Sequence, residues 1–191
     1  MNRALLAIGS IGGWWITVLG AASGHGWLGP ACVLLLAALW LSFSADYIAD
    51  AMVAAAAVLL GAICDGVLKA IGVIDFPPLA RYGELASGWM LALWLQMGLS
   101  LRPLAGVFLR RPIVLSVVGL ISGPLAYVGG AKFGALNYDV TNVRSLSAVA
   151  IVYGLAIPIL ALLAGKLSGA TARAFASAHA AAARSTEESS Q

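Results

Sequence analysis

Six long apolar runs, separated by short polar segments, make up most of this chain. They cover residues 4–22, 27–45, 51–74, 87–109, 112–131 and 145–165. Each run is close to the roughly 20 residues that an α-helix needs to cross about 30 Å of hydrocarbon. Four of the six runs contain no charged residue. The pattern predicts an all-α fold, a polytopic bundle of about six transmembrane helices over residues 1–165.

The composition agrees with a membrane protein and excludes an ordinary soluble domain. Of the 191 residues, 61% are hydrophobic and 10% are charged, against roughly 25% charged in a soluble globular domain. The remaining segment, 166–191, is rich in alanine, the best helix former, and ends in a polar sequence. We expect this cytoplasmic tail to be helical to about Arg184 and disordered beyond it.

The distribution of cations predicts the orientation, because Lys and Arg in short loops are retained on the cytoplasmic side. With both termini inside, the cytoplasm receives Arg3, Arg110, Arg111, Lys166, Arg173 and Arg184, and the outer side receives Arg81, Lys132 and Arg144. We therefore expect both termini in the cytoplasm. In this topology Trp27 and Trp89 lie at the outer headgroup level, and Arg102 extends to lipid phosphates at the inner one.

Asp65 and Lys69 are the polar pair that most needs an explanation, because they lie four residues apart inside the third span. A charge at the centre of a bilayer costs about 2.5–3.5 kcal/mol, so such residues face the bundle interior and find partners. Counted from the outer ends of their spans, Gln96 and Tyr153 fall at nearly the depth of Asp65, and Tyr127 and Lys69 lie somewhat nearer the outer surface. We expect these five residues to form a polar layer in the outer half of the bundle.

Two interpretations of this polar layer remain open. In the structural one, Asp65 and Lys69 neutralise each other and Gln96 is a hydrogen-bonded packing residue. In the functional one, Asp65 binds a cation, a proton or the polar headgroup of a substrate. Two prolines inside the fifth and sixth spans, Pro124 and Pro158, are either simple kinks or helix interruptions that help to build a site.

Several kinds of site are not indicated by the sequence. His25 and His179 fall on opposite sides of the predicted membrane, and no histidine and cysteine cluster has metal-ligand spacing, so we expect no metal site. The Gly129-Gly130 pair lacks the strand-to-helix context of a dinucleotide loop, so we expect no cofactor. The cations of the tail are too sparse for nucleic-acid binding.

Several segments resemble a bacterial inner-membrane protein family of unknown function. They are Gly13-Trp14, Trp27 with Gly29-Pro30, 61–65, WMLALW over 89–94, Arg111-Pro112 and, most specifically, GPLAYVGGAKFGAL over 123–136. Genes of that family often lie beside genes for enzymes similar to cyclopropane-fatty-acid synthase. The resemblance implies a multi-pass inner-membrane protein with a lipid-related role, whose partners are membrane lipids and a lipid-modifying enzyme. The residues that match the most specific motif of the family are Gly123, Pro124, Tyr127, Lys132 and Gly134.

Three functions from different classes are consistent with these features. The first is a non-catalytic accessory or lipid-binding subunit in a lipid-modification or envelope-stress pathway, which the resemblance favours. The second is a small transporter or channel in which Asp65 is the coupling group. The third is a membrane-embedded enzyme that modifies a lipid, with Asp65 or Tyr127 as acid or base. The sequence favours the non-catalytic role over the enzyme.

Overall fold

Six helices and one short antiparallel ribbon form the fold in the computed structural model, which describes residues 3–78, 80, 86–105 and 111–188. The helices are α1 (Arg3–Ala22), α2 (Leu28–Phe43), α3 (Tyr47–Ala70), α4 (Gly88–Ala105), α5 (Pro112–Lys132) and α6 (Val143–Glu188). The strands are β1 (Ile74–Asp75) and β2 (Asn137–Tyr138). The predicted all-α bundle of about six helices is confirmed. The sixth predicted span and most of the alanine-rich segment belong to one helix, α6.

Among the residues that the structure describes, four helices are long and apolar enough to cross a membrane. They are Ala4–Ala22 of α1, all of α3, all of α5 and Val143–Ser168 of α6. The helix α2 is shorter, with 16 residues, and α4 contains Arg102. Large apolar side chains such as Leu35, Ile63 and Ile113 are exposed on the outer faces of the bundle. Such a surface fits a surrounding of hydrocarbon rather than water. The orientation with both termini inside stays a prediction.

Small residues allow the helices to approach each other closely. The central helix α4 packs against α1, α2, α3 and α6, and α5 packs along α6. A Cβ added at Gly98 of α4 would lie 2.7 Å from the Cα of Ala54 in α3. One added at Gly119 of α5 would lie 2.3 Å from the carbonyl oxygen of Tyr153 in α6. Glycine is therefore required where these backbones meet, as is usual for helix packing in lipid.

Three helices that rise toward the predicted outer face, α1, α3 and α5, end in the same type of glycine turn. The turn residues have positive φ angles, 80° at Gly24, 70° at Gly72 and 82° at Gly134. In each turn two N–H groups bond back to the last helical turn, for example from Ala135 to the carbonyl of Gly130 over 2.9 Å. The predicted end of the third span at residue 74 was therefore wrong. The glycine turn stops α3 within the apolar run.

The antiparallel ribbon joins the loops that follow α3 and α5. Ile74 pairs with Tyr138, and Asp75 pairs with Asn137. The sequence pattern did not predict this ribbon, because two residues per strand are too few to show alternation. The ribbon places Tyr138 against Tyr127 of α5, with the ring centroids 5.7 Å apart.

At the opposite end of the bundle, Arg102 of α4 is the centre of an ion cluster. Its guanidinium lies 2.6 Å from the carboxylate of Asp46 and 2.6 Å from that of Asp50. Its Nε donates to the hydroxyl of Ser168 in α6 over 3.1 Å, and Trp40 donates to Asp50 over 3.2 Å. We call these five residues the inner ion cluster. The expectation that Arg102 extends to lipid phosphates was wrong, because Asp46, just before α3, and Asp50, in its first turn, supply carboxylates instead.

Trp27 and Trp89, both predicted at the outer headgroup level, lie in different environments. Trp27 is largely exposed, whereas Trp89 is 1% exposed. The indole N–H of Trp89 donates to the carbonyl of Ala80 over 3.0 Å, and its ring meets that of Phe76 edge to face. Trp89 is therefore covered by Phe76 and Ala80 of the protein, and its level in the membrane stays a prediction.

Candidate functional site

Three helices converge on the carboxylate of Asp65, whose side chain is fully buried on α3. The indole N–H of Trp94 in α4 donates to Oδ2 over 2.8 Å. The hydroxyl of Tyr127 in α5 donates to Oδ1. Each carboxylate oxygen thus has its own protein donor, as a buried polar group requires.

Aromatic rings surround this carboxylate. Tyr153 of α6 packs against Trp94 with the ring centroids 5.0 Å apart, and it meets Tyr127 edge to face at 5.7 Å. Four helices, α3 to α6, therefore contribute one side chain each to a single cluster. We call this cluster of Asp65, Trp94, Tyr127 and Tyr153 the Asp65 site. The indole and phenol groups combine one hydrogen-bonding end with an apolar ring that packs against neighbouring helices.

Two glycines set the positions of the rings. A Cβ at Gly61 would lie 2.2 Å from Trp94, and one at Gly123 would lie 2.6 Å from Tyr153. Each glycine precedes a polar member of the Asp65 site by four residues in its own helix, and so shares a helix face with it. The GPLAY segment therefore has a structural explanation. Its glycine receives a tyrosine ring from α6, and its own tyrosine bonds to the carboxylate.

Of the five residues predicted to form a polar layer, the structure brings three into one cluster, Asp65, Tyr127 and Tyr153. Lys69 lies one turn beyond Asp65, in the last turn of α3, and lines a groove on the outer surface. The hydrogen bonds to the Asp65 carboxylate thus come from the indole of Trp94 and the phenol of Tyr127. Gln96 bonds to α1 instead, where its Nε2 donates to the carbonyl of Ser10 over 2.7 Å.

The remaining motif residues have structural positions outside the Asp65 site. Pro124 lies inside α5 and is half-buried, and Lys132 is the exposed last residue of that helix. Gly134 adopts the positive φ that ends the helix. Of the five motif residues, Tyr127 is therefore a member of the Asp65 site, and Gly123 leaves space for the ring of Tyr153. The other three lie within α5 or in the turn that ends it.

A polar groove of about 610 Å³ lies beside the ribbon, on the side of the bundle predicted to face outward. Lys69, Asp75, Tyr138 and Asp139 are among its lining residues. Hydrogen bonds from the hydroxyl and the backbone N–H of Thr141 lower the pKa of Asp139, and burial raises the pKa of Tyr138. At neutral pH the groove therefore contains an ionised Asp139 and a neutral Tyr138. We call it the outer groove.

A second cavity, of about 250 Å³, lies between α1, α4, α5 and α6. Trp94 and Tyr153 of the Asp65 site form part of its wall, together with Trp14, Met97 and Ala126. The cavity is partly open at the surface of the bundle. Its lining residues lie in the middle of their helices, so the opening faces the hydrocarbon region. We call it the lateral cavity.

Sequence reasoning missed Trp94 and Gly61 as parts of the site. A signal for Trp94 was present, because a tryptophan deep in a span needs an acceptor for its indole N–H. Asp65 supplies that acceptor. Gly61 begins one of the segments that carry the family resemblance, 61–65, but its packing role could not be read from the sequence, since many glycines in the spans serve equally well as small packing residues.

These observations define a class of protein: a polytopic helical bundle, with four helices fit to cross a membrane and a buried carboxylate held by aromatic donors. Within the part of the chain that the structure describes, no group of three or more His, Cys, Asp or Glu side chains is placed to hold a metal ion. The chain belongs to the family described as protein of unknown function (DUF2878), which matches residues 5–159. It has no match among the curated proteins or the solved structures.

The family match includes the whole Asp65 site. It begins in α1 and ends in α6 beyond Tyr153, so it extends further than the resemblance over residues up to 136 had indicated. The alanine-rich segment 166–191 lies outside the match. The site is therefore part of the family's common region, and the tail is not.

Proposed function

We propose that this protein binds a lipid within the membrane, without catalysing a reaction, by accepting an acyl chain into the lateral cavity. The observation that carries the proposal is the cavity of about 250 Å³ at mid-height of the bundle, partly open toward hydrocarbon. Its wall is mainly apolar, with a few polar groups, as in most sites for small hydrophobic ligands. In a bilayer the acyl chains of lipids are the apolar ligands that reach such an opening.

The Asp65 site supports this proposal by fixing the wall of the cavity. The polar ends of Trp94 and Tyr127 are bonded to Asp65, so the Trp94 ring can present an apolar face to the cavity. Tyr153 packs against both rings and lines the same cavity. A preformed wall lowers the entropic cost of ordering side chains when a ligand binds.

Within this proposal, the protein acts in the bacterial inner membrane as an accessory subunit in a lipid-modification or envelope-stress pathway, which holds a lipid for a modifying enzyme. The support is the resemblance noted in the sequence, to a family whose genes often lie beside genes for fatty-acid modification.

The proposal is tested by photolabelling the full-length protein in nanodiscs that contain a phospholipid with a diazirine at mid-chain. We expect labelled peptides from α4 and α5. Ala126→Trp fills the lateral cavity and should reduce this labelling severalfold, whereas Leu125→Trp, at a neighbouring residue that is exposed, should leave it unchanged. Full labelling of Ala126→Trp would show that the lateral cavity is not the binding site.

A second candidate is a small proton-coupled transporter, which the outer groove favours. Tyr138 lines that groove and packs against Tyr127, which in turn bonds to Asp65. A proton or solute entering from the groove would therefore meet the site of the buried carboxylate. Proton flux into vesicles containing the purified protein, lost on Asp65→Asn, would support transport.

A further inference from the structure

A further cavity lies on the other side of the contact between α1 and α4. It has a volume of about 250 Å³, its lining is almost entirely apolar, and it lies between α1, α2 and α4. Its aliphatic lining residues include Leu5, Leu6, Val33, Leu39 and Leu99. Since Leu5 lies in the first turn of α1 and Leu39 in the last two turns of α2, the cavity is in the half of the bundle that contains the inner ion cluster. We call it the inner cavity.

Hydrogen bonds between α1 and α4 separate the inner cavity from the lateral cavity. Gln96 Nε2 donates to the carbonyl of Ser10 over 2.7 Å, and the hydroxyls of Ser10 and Ser100 lie 3.0 Å apart. All three residues line both cavities, so this contact forms a wall between them. The inner cavity is therefore a separate space, which the proposed function does not use.

The inner cavity extends from the lipid-facing surface of the bundle into its interior. Leu5 and Leu39 are 59% and 46% exposed, whereas Leu6, Val33 and Leu99 are buried. The exposed pair therefore marks the mouth, with one residue on α1 and one on α2, and the buried residues form the floor. A ligand would enter this mouth from the hydrocarbon of one leaflet, without passing through water.

Trp40 of α2 connects the inner cavity to the inner ion cluster. It lines the cavity, and its indole N–H donates to the carboxylate of Asp50 over 3.2 Å. Because this bond satisfies the polar end of the side chain, the ring can contribute an apolar wall. The wall is fixed before a ligand arrives, which lowers the entropic cost of ordering side chains on binding.

We propose that the inner cavity is a second lipid site, which binds the part of an acyl chain closest to its headgroup. Water is a poor occupant, because an apolar cavity offers it no hydrogen-bond partners; an engineered apolar cavity of about 150 Å³ stays dry and binds benzene. The inner cavity is larger, and acyl chains are the apolar molecules that reach its mouth in a bilayer. Leu5 lies two residues after the start of α1, about 3 Å along the helix axis, so the mouth is near the headgroups.

Van der Waals contacts supply the affinity of this second site. The chain is surrounded by apolar groups both inside and outside the cavity, so the hydrophobic effect gives no gain and close packing decides. An empty cavity leaves its lining atoms without contact partners, and an acyl chain provides those partners. The lining residues differ from the members of the Asp65 site, so this inference goes beyond the proposed function. The protein would hold two chains, one on each side of the α1–α4 contact.

The test uses the full-length protein in nanodiscs that contain a phospholipid with a diazirine close to the ester of one acyl chain. We expect labelled peptides from α2, a helix that does not line the lateral cavity. Leu5→Trp closes the mouth and should reduce this label severalfold. Ile8→Trp, one turn further along α1 at a similarly exposed residue outside the cavity lining, should leave the label unchanged.

A second pair of variants tests the other side of the mouth. Leu39→Trp should reduce the α2 label severalfold, and Leu35→Trp, at an exposed residue of the same helix outside the lining, should keep it. Each pair makes the same substitution at two lipid-facing positions of one helix, so a general effect of tryptophan at the lipid surface cancels. Labelling of α5 by the mid-chain probe in Leu5→Trp shows that this variant is folded.

Equal labelling of α2 in Leu5→Trp and Ile8→Trp would mean that the label comes from lipid around the bundle, which overturns the site in the inner cavity. Absence of an α2 label in the unsubstituted protein overturns it as well. Loss of the α2 label in Ala126→Trp would have the same meaning, because that variant fills the lateral cavity alone. If the mid-chain probe leaves α4 and α5 unlabelled while α2 is labelled, the proposed function is overturned and the second site is retained.

Discussion

Asp65 is the residue on which the candidate site depends. Burial of a carboxyl group in an apolar environment is unfavourable unless hydrogen bonds compensate it. Here the compensation comes from Trp94 and Tyr127, which are large and apolar apart from their donor groups. The same bonds fix two rings on neighbouring helices. At the scale of single residues, Asp65 therefore acts on the lateral cavity as a positioning residue.

Replacement of Asp65 by leucine tests this role. Asp65→Leu keeps a similar volume but leaves the indole N–H of Trp94 and the hydroxyl of Tyr127 without an acceptor. Each buried, unpaired donor costs about 1–3 kcal/mol, so we expect a clear decrease in the free energy of unfolding, measured in detergent. Asp139→Leu, at an exposed position of the outer groove, is the control. Equal stability of the two variants would contradict the positioning role.

Glycines determine how the elements meet. The sequence showed that glycine is frequent in the spans, and small residues were expected to bring the helices close together. Whether a glycine is needed for close packing depends on the helix that faces it. A Cβ at Gly61 would lie 2.2 Å from the indole ring of Trp94, whereas a Cβ at Gly12 would meet nothing within 4 Å. Replacing glycine by alanine should therefore change the stability of the protein more at Gly61 than at Gly12.

The difference between these two glycines gives a prediction at the scale of elements. Gly61→Ala would place a Cβ 2.2 Å from Trp94, so α3 and α4 must separate or the ring must leave Asp65. We expect a loss of about 1–3 kcal/mol, as for overpacking of a core. Gly12→Ala should be neutral or stabilising by up to about 1 kcal/mol, since alanine favours a helix. Thermal unfolding of both variants measures the difference, and a stable Gly61→Ala with unchanged Trp94 fluorescence would contradict the proposed packing.

Two different sets of contacts connect the helices at the two ends of the bundle. On the predicted outer side the ribbon connects the loops after α3 and α5. At the other end the inner ion cluster connects the turn between α2 and α3 to α4 and α6. The candidate site and its cavity lie between these two connections, so both affect the relative placement of the helices that build the site.

Loss of the inner ion cluster is a prediction at the scale of the whole molecule. Arg102→Gln removes the charge that faces Asp46 and Asp50 and leaves their carboxylates close together. Breaking a buried ion pair costs about 3–5 kcal/mol, and we expect about 3 kcal/mol here because the Asp46 side chain is 21% exposed. Arg111→Gln, at an exposed residue before α5, is the control for loss of a positive charge. Stability unchanged by Arg102→Gln would mean that the cluster does not hold the helices together.

The sequence by itself determined the all-α class, the six helices and three members of the Asp65 site, Asp65, Tyr127 and Tyr153. It could do so because hydrophobicity and helix length are local properties, and because a lone acid in an apolar run requires a partner. Only the tertiary structure decided that Trp94 is one of the partners of Asp65, that Arg102 pairs with Asp46 and Asp50, and that the lateral cavity lies between α1, α4, α5 and α6. These features depend on which sides of the helices pack together. The packing is determined by contacts between residues far apart in the chain.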